Sequence, residues 1–262
     1  MRNTLLWALC FAACADSEPA RERLILGTTH TVEDSGLLEV LVAAFDSART
    51  THALSAVVAG SGEVLAMARN GDVDVLLTHS PDDEVAFIAG GHGESRQPVA
   101  HNDFVLVGPV SDPASAGSAP DVIEALRRME ADSALFISRG DDSGTHRRER
   151  ALWAHAQTVP QWSGYIEAGT GMADLLRIAS QRRAYALADR ATFEVLRGEL
   201  ELRVMQEGDP RMRNEYSVIV VRDARNIEGA RYFAEWLRST AVRALIGGFG
   251  RARTGRPLFI PS

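Results

Sequence analysis

Three turns rich in hydroxyl and glycine residues have the composition of an anion-binding site. Each turn follows a short apolar run and precedes a helical pattern. The turns are Gly27-Thr28-Thr29-His30-Thr31, Gly60-Ser61-Gly62 and residues 138–145. An oxyanion needs several convergent donors, and the first turn of a helix offers unpaired N–H groups at the positive end of its dipole. The three turns therefore predict an oxyanion site, in which the hydroxyls add short hydrogen bonds.

The turn at residues 138–145 carries the strongest signal. It contains one arginine, two glycines and three hydroxyl residues. Arg139 would supply a full charge and a planar fork that grips two oxygens, while Ser143, Gly144 and Thr145 would add donors at the helix start. Ser, Thr and Asp are also common helix caps, so each turn taken alone has that simpler interpretation.

Two acidic residues in the same turn, Asp141 and Asp142, would repel a dianion if they faced it. We expect them to cap helix ends or to hold Arg139. Elsewhere, we expect Asp189 to cap a helix and Arg190 to be its solvated neighbour.

A fourth turn, Gly169-Thr170-Gly171-Met172, also opens a helical pattern. Gly171 would add a backbone donor, and Thr170 is a possible further contact. The alternative is a plain turn before a core helix. His30 is the one histidine singled out, because it could donate a proton-dependent hydrogen bond to the anion.

Metal and nucleophile chemistry has little support in the sequence. The seven histidines show no paired spacing on one helix face and no clustered carboxylates, so we predict no metal site and no cofactor. Ser143 lacks the glycine two positions earlier that a nucleophile elbow requires. We predict a binding protein rather than an enzyme, and a secreted phosphoester hydrolase using Ser143 and His146 is the less favoured alternative.

Composition excludes several functions. All 28 cationic side chains are arginine, and the formal charge is -7. Without lysine the chain cannot form a P-loop or a pyridoxal Schiff base. The acidic balance argues against nucleic acid as a partner.

The first residues have the pattern of an export signal. Arg2 precedes an apolar run over residues 5–13, which is shorter than the ~20 residues of a membrane-spanning helix. We predict a lipoprotein signal peptide over residues 1–13 and lipidation at Cys14, because Phe11-Ala12-Ala13-Cys14 resembles a bacterial lipobox. An ordinary secretory peptide or a retained anchor is the alternative. Each places the folded part outside the cytoplasm.

Apolar runs and helical patterns alternate along the rest of the chain, which predicts an α/β fold. An extended stretch over residues 102–110 precedes a loop rich in Pro, Ser and Ala. We predict two α/β lobes joined by two crossing strands: residues 24–105 with 212–262, and residues 106–211. Ligands bind such sheets beyond the carboxyl ends of the strands, so the turns would face the cleft between the lobes.

Several motifs resemble one known family. They are Thr28-Thr29 followed by Asp34-Ser35-Gly36-Leu37-Leu38, residues 71–77, Asn102-Asp103-Phe104 and residues 138–146. From about residue 24 to about residue 261 the chain resembles the tungstate-binding proteins of TupA-type ABC importers, which are type II periplasmic binding proteins. It departs from the family at His30 and Ser61, where Thr is common, and at Thr170, where Gln is common.

The resemblance implies an extracytoplasmic, lipid-anchored, monomeric receptor that captures a tetrahedral oxyanion and delivers it to ABC permease subunits. Tungstate is the leading candidate, and a molybdate-type or phosphate-type receptor is the alternative. The effector domain of a transcription regulator can share this fold and is disfavoured by the leader. The predicted ligand-binding residues are Thr28, Thr29, Ser61, Arg139, Ser143, Gly144, Thr145 and Gly171, with His30 and Thr170 as possible additions.

Overall fold

A computed structural model describes residues 21–48 and 50–262. The predicted signal peptide and Cys14 lie outside these residues. Within the described part of the chain, no helix combines the length and apolar character needed to cross a membrane.

The described chain alternates between strands and helices over most of its length. The strands are β1 (Glu22–Thr29), β2 (His52–Ala59), β3 (Val75–Thr78), β4 (Gly93–Pro109), β5 (Phe136–Ser138), β6 (Tyr165–Glu167), β7 (Ala186–Asp189), β8 (Leu202–Gln206), β9 (Arg213–Val221) and β10 (Ile260–Pro261). The helices are α1 (His30–Asp34), α2 (Leu37–Ser47), α3 (Ser61–Arg69), α4 (Pro81–Ala89), α5 (Val122–Ala131), α6 (Gly144–His155), α7 (Met172–Arg182), α8 (Arg190–Leu196), α9 (Ile227–Leu237), α10 (Thr240–Gly248) and α11 (Arg251–Thr254).

The sheet of the first lobe has the strand order β10-β4-β9-β3-β1-β2. β1 is parallel to both β2 and β3, so the three strands end at one edge. All four residues of β3 are buried, as expected of a strand covered on both faces. Leu41 and Phe45 of α2 and Phe233 of α9 are fully buried in the same core. This packing fixes the edge at which Thr29, Ala59 and Thr78 end their strands.

β4 crosses from one lobe to the other. Its residue Asp103 pairs with Arg213 of β9, whereas the next residue, Phe104, pairs with Asp189 of β7. The second lobe continues with β8 on β4 and with the parallel pair β5 and β6. The chain returns to the first lobe between β8 and β9. The predicted fold class, two α/β lobes joined by two crossing strands, is confirmed.

The strand partners change at residues 103 and 104, two residues before the predicted limit at 105. The division into residues 24–105 with 212–262 and residues 106–211 stays a prediction of domain limits. Helices α6 and α7 begin at the turns that the sequence predicted to precede helical patterns, residues 138–145 and 169–172. The sequence interpretation missed α1 and α4, and it recognised only the second half of β4.

The expectation that Arg190 is solvated is wrong, because its side chain is buried. Its guanidinium lies 2.6 Å from the Glu207 carboxylate and 3.8 Å from that of Asp103, at the crossing between the lobes. Asp189 does cap α8, as predicted, by accepting from the Thr192 N–H at 3.1 Å.

A buried network holds the crossing strands together. Asp189 Oδ2 accepts hydrogen bonds from Asn102 Nδ2 (2.8 Å), Asn214 Nδ2 (3.0 Å) and Tyr216 OH (3.1 Å). These residues belong to β7, β4 and β9. One carboxylate therefore ties together the three strands at which the lobes meet.

Replacing this carboxylate should destabilise the fold. Asp189→Ala would leave several buried donors without an acceptor, which we expect to cost at least about 3 kcal/mol of unfolding free energy. Asp174→Ala is the matched control, because Asp174 is exposed and forms a salt bridge with exposed Arg177; it should change stability by less than about 0.5 kcal/mol. Urea unfolding measures both, and equal effects of the two variants would contradict the assigned role of Asp189.

Candidate functional site

Turns from both lobes meet at the cleft. α1 follows β1 directly, α3 begins at Ser61 after β2, and α6 begins at Gly144 after β5. Ser143 caps α6, its hydroxyl accepting from the His146 N–H at 3.3 Å. α3 and α6 therefore both direct their N-terminal ends towards the space between the lobes.

A small cavity lies where these turns meet. Residues of the first lobe and of the second lobe line it together. The lining residues are Thr29, His30, Thr31, Ala59, Gly60, Ser61, His79, Arg139, Ser143 and Thr145.

Three lining residues bring polar atoms that the fold itself does not use. Ser61 Oγ, Arg139 Nη1 and Thr145 Oγ1 are buried and have no hydrogen-bond partner among residues 21–48 and 50–262. Buried polar atoms are nearly always hydrogen-bonded, because an unmet donor keeps its full desolvation cost. Three such atoms from two lobes at one cavity have the chemistry of an anion site: two hydroxyl donors and one guanidinium donor.

Arg139 is fixed by Asp141. Arg139 Nε donates to Asp141 Oδ2 at 3.1 Å, and Nη2 donates to the same oxygen. Asp141 Oδ1 accepts from the Ser143 N–H at 3.1 Å. Burial raises the pKa of Asp141, but the bonds from Ser143 and the charge of Arg139 outweigh it and hold that pKa below its usual value. The expectation that Asp141 holds Arg139 is confirmed, and Nη1 of this cavity-lining residue keeps no partner among the described residues.

Asp142 does not share this role. Its exposed carboxylate accepts from Arg147 Nη2 at 2.7 Å, so the expectation that Asp142 caps a helix or holds Arg139 is wrong. Arg147 also forms an ion pair with Asp83 of α4, across the cleft. This pair links the two lobes beside the cavity.

The predicted site residues do not all reach the cavity. Thr29, Ser61, Arg139, Ser143 and Thr145 line it, as does His30. Thr28 does not, because its hydroxyl donates to the Leu77 carbonyl at 2.9 Å inside the first lobe. Gly144 lines a different opening, with His79 and Ser80 packed against its backbone.

Gly171 and Thr170 line a wider, neighbouring opening, together with His30, Gly60 and Asp142. The side chain of His30 is 41% exposed, with Nδ1 3.9 Å from Glu33. The structure therefore places the fourth turn at the mouth of the cleft rather than at the small cavity. Ligand binding by any of these residues stays a prediction.

The sequence interpretation missed His79. This buried ring lines the cavity, with Nε2 3.0 Å from Thr31 Oγ1 and Nδ1 2.9 Å from Asn214 Oδ1. Burial lowers the pKa of His79 to about 4, and the charges of Arg139 and Arg148 contribute, so the ring is neutral at neutral pH. One signal could have found it: His79 follows β3 directly, at the same strand edge as the recognised turns.

Two α/β lobes that direct unused donors into one cavity between them define a two-lobed binding protein. Comparison with known proteins agrees. Residues 15–241 match the family model described as PBP superfamily domain.

Individual relatives indicate which family of this superfamily the chain belongs to. The tungstate-binding protein TupA of Peptoclostridium acidaminophilum is 38% identical over 98% of this chain and 95% of its own length. The structure of the tungstate ABC transporter from Geobacter sulfurreducens is 35% identical, covers 87% of this chain and 99% of its own, and has a TM-score of 0.78. The tungstate-binding protein TupA from Desulfovibrio alaskensis G20 is 34% identical over 92% of this chain and 99% of its own, with a TM-score of 0.76. The chain belongs to the TupA family of the PBP superfamily.

The unused hydroxyl of Thr145 leads to a stability prediction. Thr145→Val removes a buried hydroxyl without a partner, so we expect the anion-free protein to keep or slightly increase its unfolding free energy. Thr78→Val is the matched control, because Thr78 Oγ1 donates to the buried Glu84 carboxylate at 2.8 Å. That variant should lose about 1.5–3 kcal/mol. A loss at Thr145 as large as the loss at Thr78 in urea unfolding would show that the Thr145 hydroxyl has a partner within the protein.

Proposed function

We propose that this chain is the extracytoplasmic solute-binding component of an ABC importer and captures a tetrahedral oxyanion, with tungstate as the leading candidate. The observation that carries the proposal is the convergence of Ser61 Oγ, Thr145 Oγ1 and Arg139 Nη1 on one cavity between two lobes. The names of the relatives supply the candidate anion, since three of them are described as tungstate proteins.

The site would hold the anion by direct donation. Arg139 adds a charge-assisted hydrogen bond, which is roughly twice as strong as a neutral one. α3 and α6, of 9 and 12 residues, begin at the cavity, and their first N–H groups favour negative charge. Closure of the lobes would bring both sets of donors onto the anion and produce the form that the permease recognises.

The lining also bears on which oxyanion binds. Within the described chain, no carboxylate lines the cavity, and both oxygens of Asp141 are engaged by Arg139 and Ser143. Hydrogen phosphate carries a proton that needs an acceptor, whereas tungstate and molybdate are fully ionised at neutral pH. The donor set therefore favours a tungstate-type or molybdate-type anion over a phosphate-type one.

The geometry disfavours the phosphoester hydrolase. The Ser143 hydroxyl is used as the cap of α6, and His146 Nδ1 accepts from the Asp142 N–H at 3.0 Å. His146 Nε2 faces Glu167 at 3.7 Å. Neither ring nitrogen is placed to take a proton from Ser143, so a binding role fits these residues better.

The proposal includes the location and partners predicted from the sequence. The export pattern over residues 1–13 and the Cys14 lipobox support a lipid-anchored receptor outside the cytoplasm. Its partners would be the oxyanion and ABC permease subunits, with the receptor acting as a monomer and without a cofactor.

An anion panel tests the proposed ligand. We expect calorimetric titration with tungstate and with molybdate to give tight, saturable binding, with sulfate, phosphate and vanadate much weaker. Size would separate the larger anions from sulfate, and the absence of a carboxylate acceptor would disfavour phosphate. Tight phosphate binding together with no heat from tungstate would overturn the proposal.

A substitution tests the role of the guanidinium. Arg139→Gln removes a charge-assisted hydrogen bond of about 1.5–3 kcal/mol, so tungstate affinity should fall by roughly ten- to a hundred-fold. Arg177→Gln is the control, because Arg177 is an exposed residue of α7 that pairs with Asp174. Calorimetry measures both variants, after circular dichroism has shown that each is folded. Unchanged affinity in Arg139→Gln would place Arg139 outside the site.

A further inference from the structure

A chain of buried hydrogen bonds leads from the cavity into the protein. Thr29 Oγ1 lies 3.0 Å from Thr31 Oγ1, which lies 3.0 Å from His79 Nε2. His79 Nδ1 lies 2.9 Å from Asn214 Oδ1, and Asn214 Nδ2 donates to Asp189 Oδ2 at 3.0 Å. All five residues are at least nine-tenths buried. The direction of each proton in this chain is therefore set by the neighbouring groups.

Asp189 fixes the direction of the hydrogen bonds at the inner end of this series. Its carboxylate receives donors from Asn102, Asn214, Tyr216 and Thr192, which favour the ionised form although burial raises the pKa of Asp189. The amide nitrogen of Asn214 must therefore face Asp189, and its carbonyl oxygen must face His79. A carbonyl oxygen only accepts, so His79 carries its proton on Nδ1.

This tautomer also fixes the directions in which the hydroxyls of Thr31 and Thr29 donate. In the neutral ring Nε2 is an acceptor, so Thr31 donates to His79 and Thr29 donates to Thr31. Each hydroxyl has a single proton. Both protons therefore point away from the cavity, whereas an oxyanion can only accept. The Thr29 hydroxyl could donate to an anion only by giving up its bond to Thr31.

We propose that the anion binds together with one proton from solvent, which His79 holds on Nε2. Nε2–H then donates to Thr31, Thr31 donates to Thr29, and the Thr29 hydroxyl donates to the anion. This inference rests on the proposed function and adds the regulation of the same site by pH. It makes His79 a positioning residue, which acts on the anion through Thr31 and Thr29.

The groups packed around His79 from the second lobe and from β9 keep its ring neutral in the anion-free protein. From the second lobe, Arg139 and Arg148 disfavour a proton on the ring, and burial disfavours it further. On β9, the Tyr216 ring stacks on His79 with centroids 5.0 Å apart, and its hydroxyl donates to Asp189. Asp189 itself is separated from the ring by Asn214. A dianion at the cavity would offset the charge of Arg139, so it would raise the pKa of His79.

A second opening reaches His79 from the side of α4. Asp82, Asp83 and Arg147 line it with His79 and Arg148. The acidic pair favours a proton on the ring and the two arginines oppose it. Because Arg147 is engaged by Asp83 and Asp142, these charges largely offset one another.

The two pKa values of His79, without and with the anion, set the sign of the pH dependence of anion affinity. The anion-free pKa of His79 is about 4, and the proposal requires a higher pKa in the complex. Between these two values each binding event takes up a proton, so affinity rises as pH falls and levels off below about pH 4. The change is up to about tenfold per pH unit, where uptake is complete.

Calorimetry with tungstate tests the inference on the full chain. Titrations in buffers of different ionisation enthalpy, from about pH 6 to about pH 8, count the protons taken up per anion. We expect uptake in the wild type and in His155→Asn, whose exposed histidine lies at the end of α6. His79→Gln should bind without proton uptake, because an amide can donate or accept at the Nε2 position but does not titrate. Uptake that persists in His79→Gln but disappears in His30→Asn would place the proton on His30 and overturn the inference.

A second variant and a direct readout complete the test. Thr31→Val keeps the bond between His79 and Asn214 and should also abolish uptake, so it serves if His79→Gln does not fold. Nitrogen NMR of His79 should show Nε2 unprotonated in the free protein and protonated with tungstate bound. Tight tungstate binding with no proton uptake would overturn this inference alone. No tungstate binding by the wild type would overturn the proposed function and the inference with it.

Discussion

The site depends on one buried cation placed where two lobes meet. Removing a guanidinium from water costs several kcal/mol unless its charge is paired and its donors are met. Asp141 meets two of the donors of Arg139, which lines the cavity, and Nη1 has no partner in the described part of the chain. Ser61 comes from the opposite lobe and Thr145 from the helix next to Arg139. The α/β framework holds these groups at one point because its parallel strands end at common edges.

Much of this arrangement could be predicted from the sequence. A hydroxyl-rich or glycine-rich turn between an apolar run and a helical pattern marks the carboxyl end of a strand, and such ends converge. That rule identified Thr29, Ser61, Arg139, Ser143 and Thr145 from the sequence. The alternation of apolar runs and helical patterns, together with the extended stretch over residues 102–110, predicted the two-lobed fold. α4 was missed because its first turn, Pro81-Asp82-Asp83-Glu84, has no apolar periodicity.

The remaining details depend on contacts between distant parts of the chain. Neighbouring strand residues point to opposite faces, so the strand pairing decides that Thr28 faces Leu77 while Thr29 faces the cavity. Arg190 appears solvated in the sequence because its partner Glu207 lies on a later segment. The tautomer of His79 is set by Asn214, which is 135 positions away. No local pattern contains that information.

The ion pair between Arg147 and Asp83 has a consequence for the lifetime of the complex. Both side chains are partly exposed, at 35% and 24%, so dissolved ions reach them and weaken their attraction. The pair spans the cleft and must separate before the lobes can part. Higher ionic strength should therefore shorten the residence time of the anion while leaving the donors that contact it unchanged.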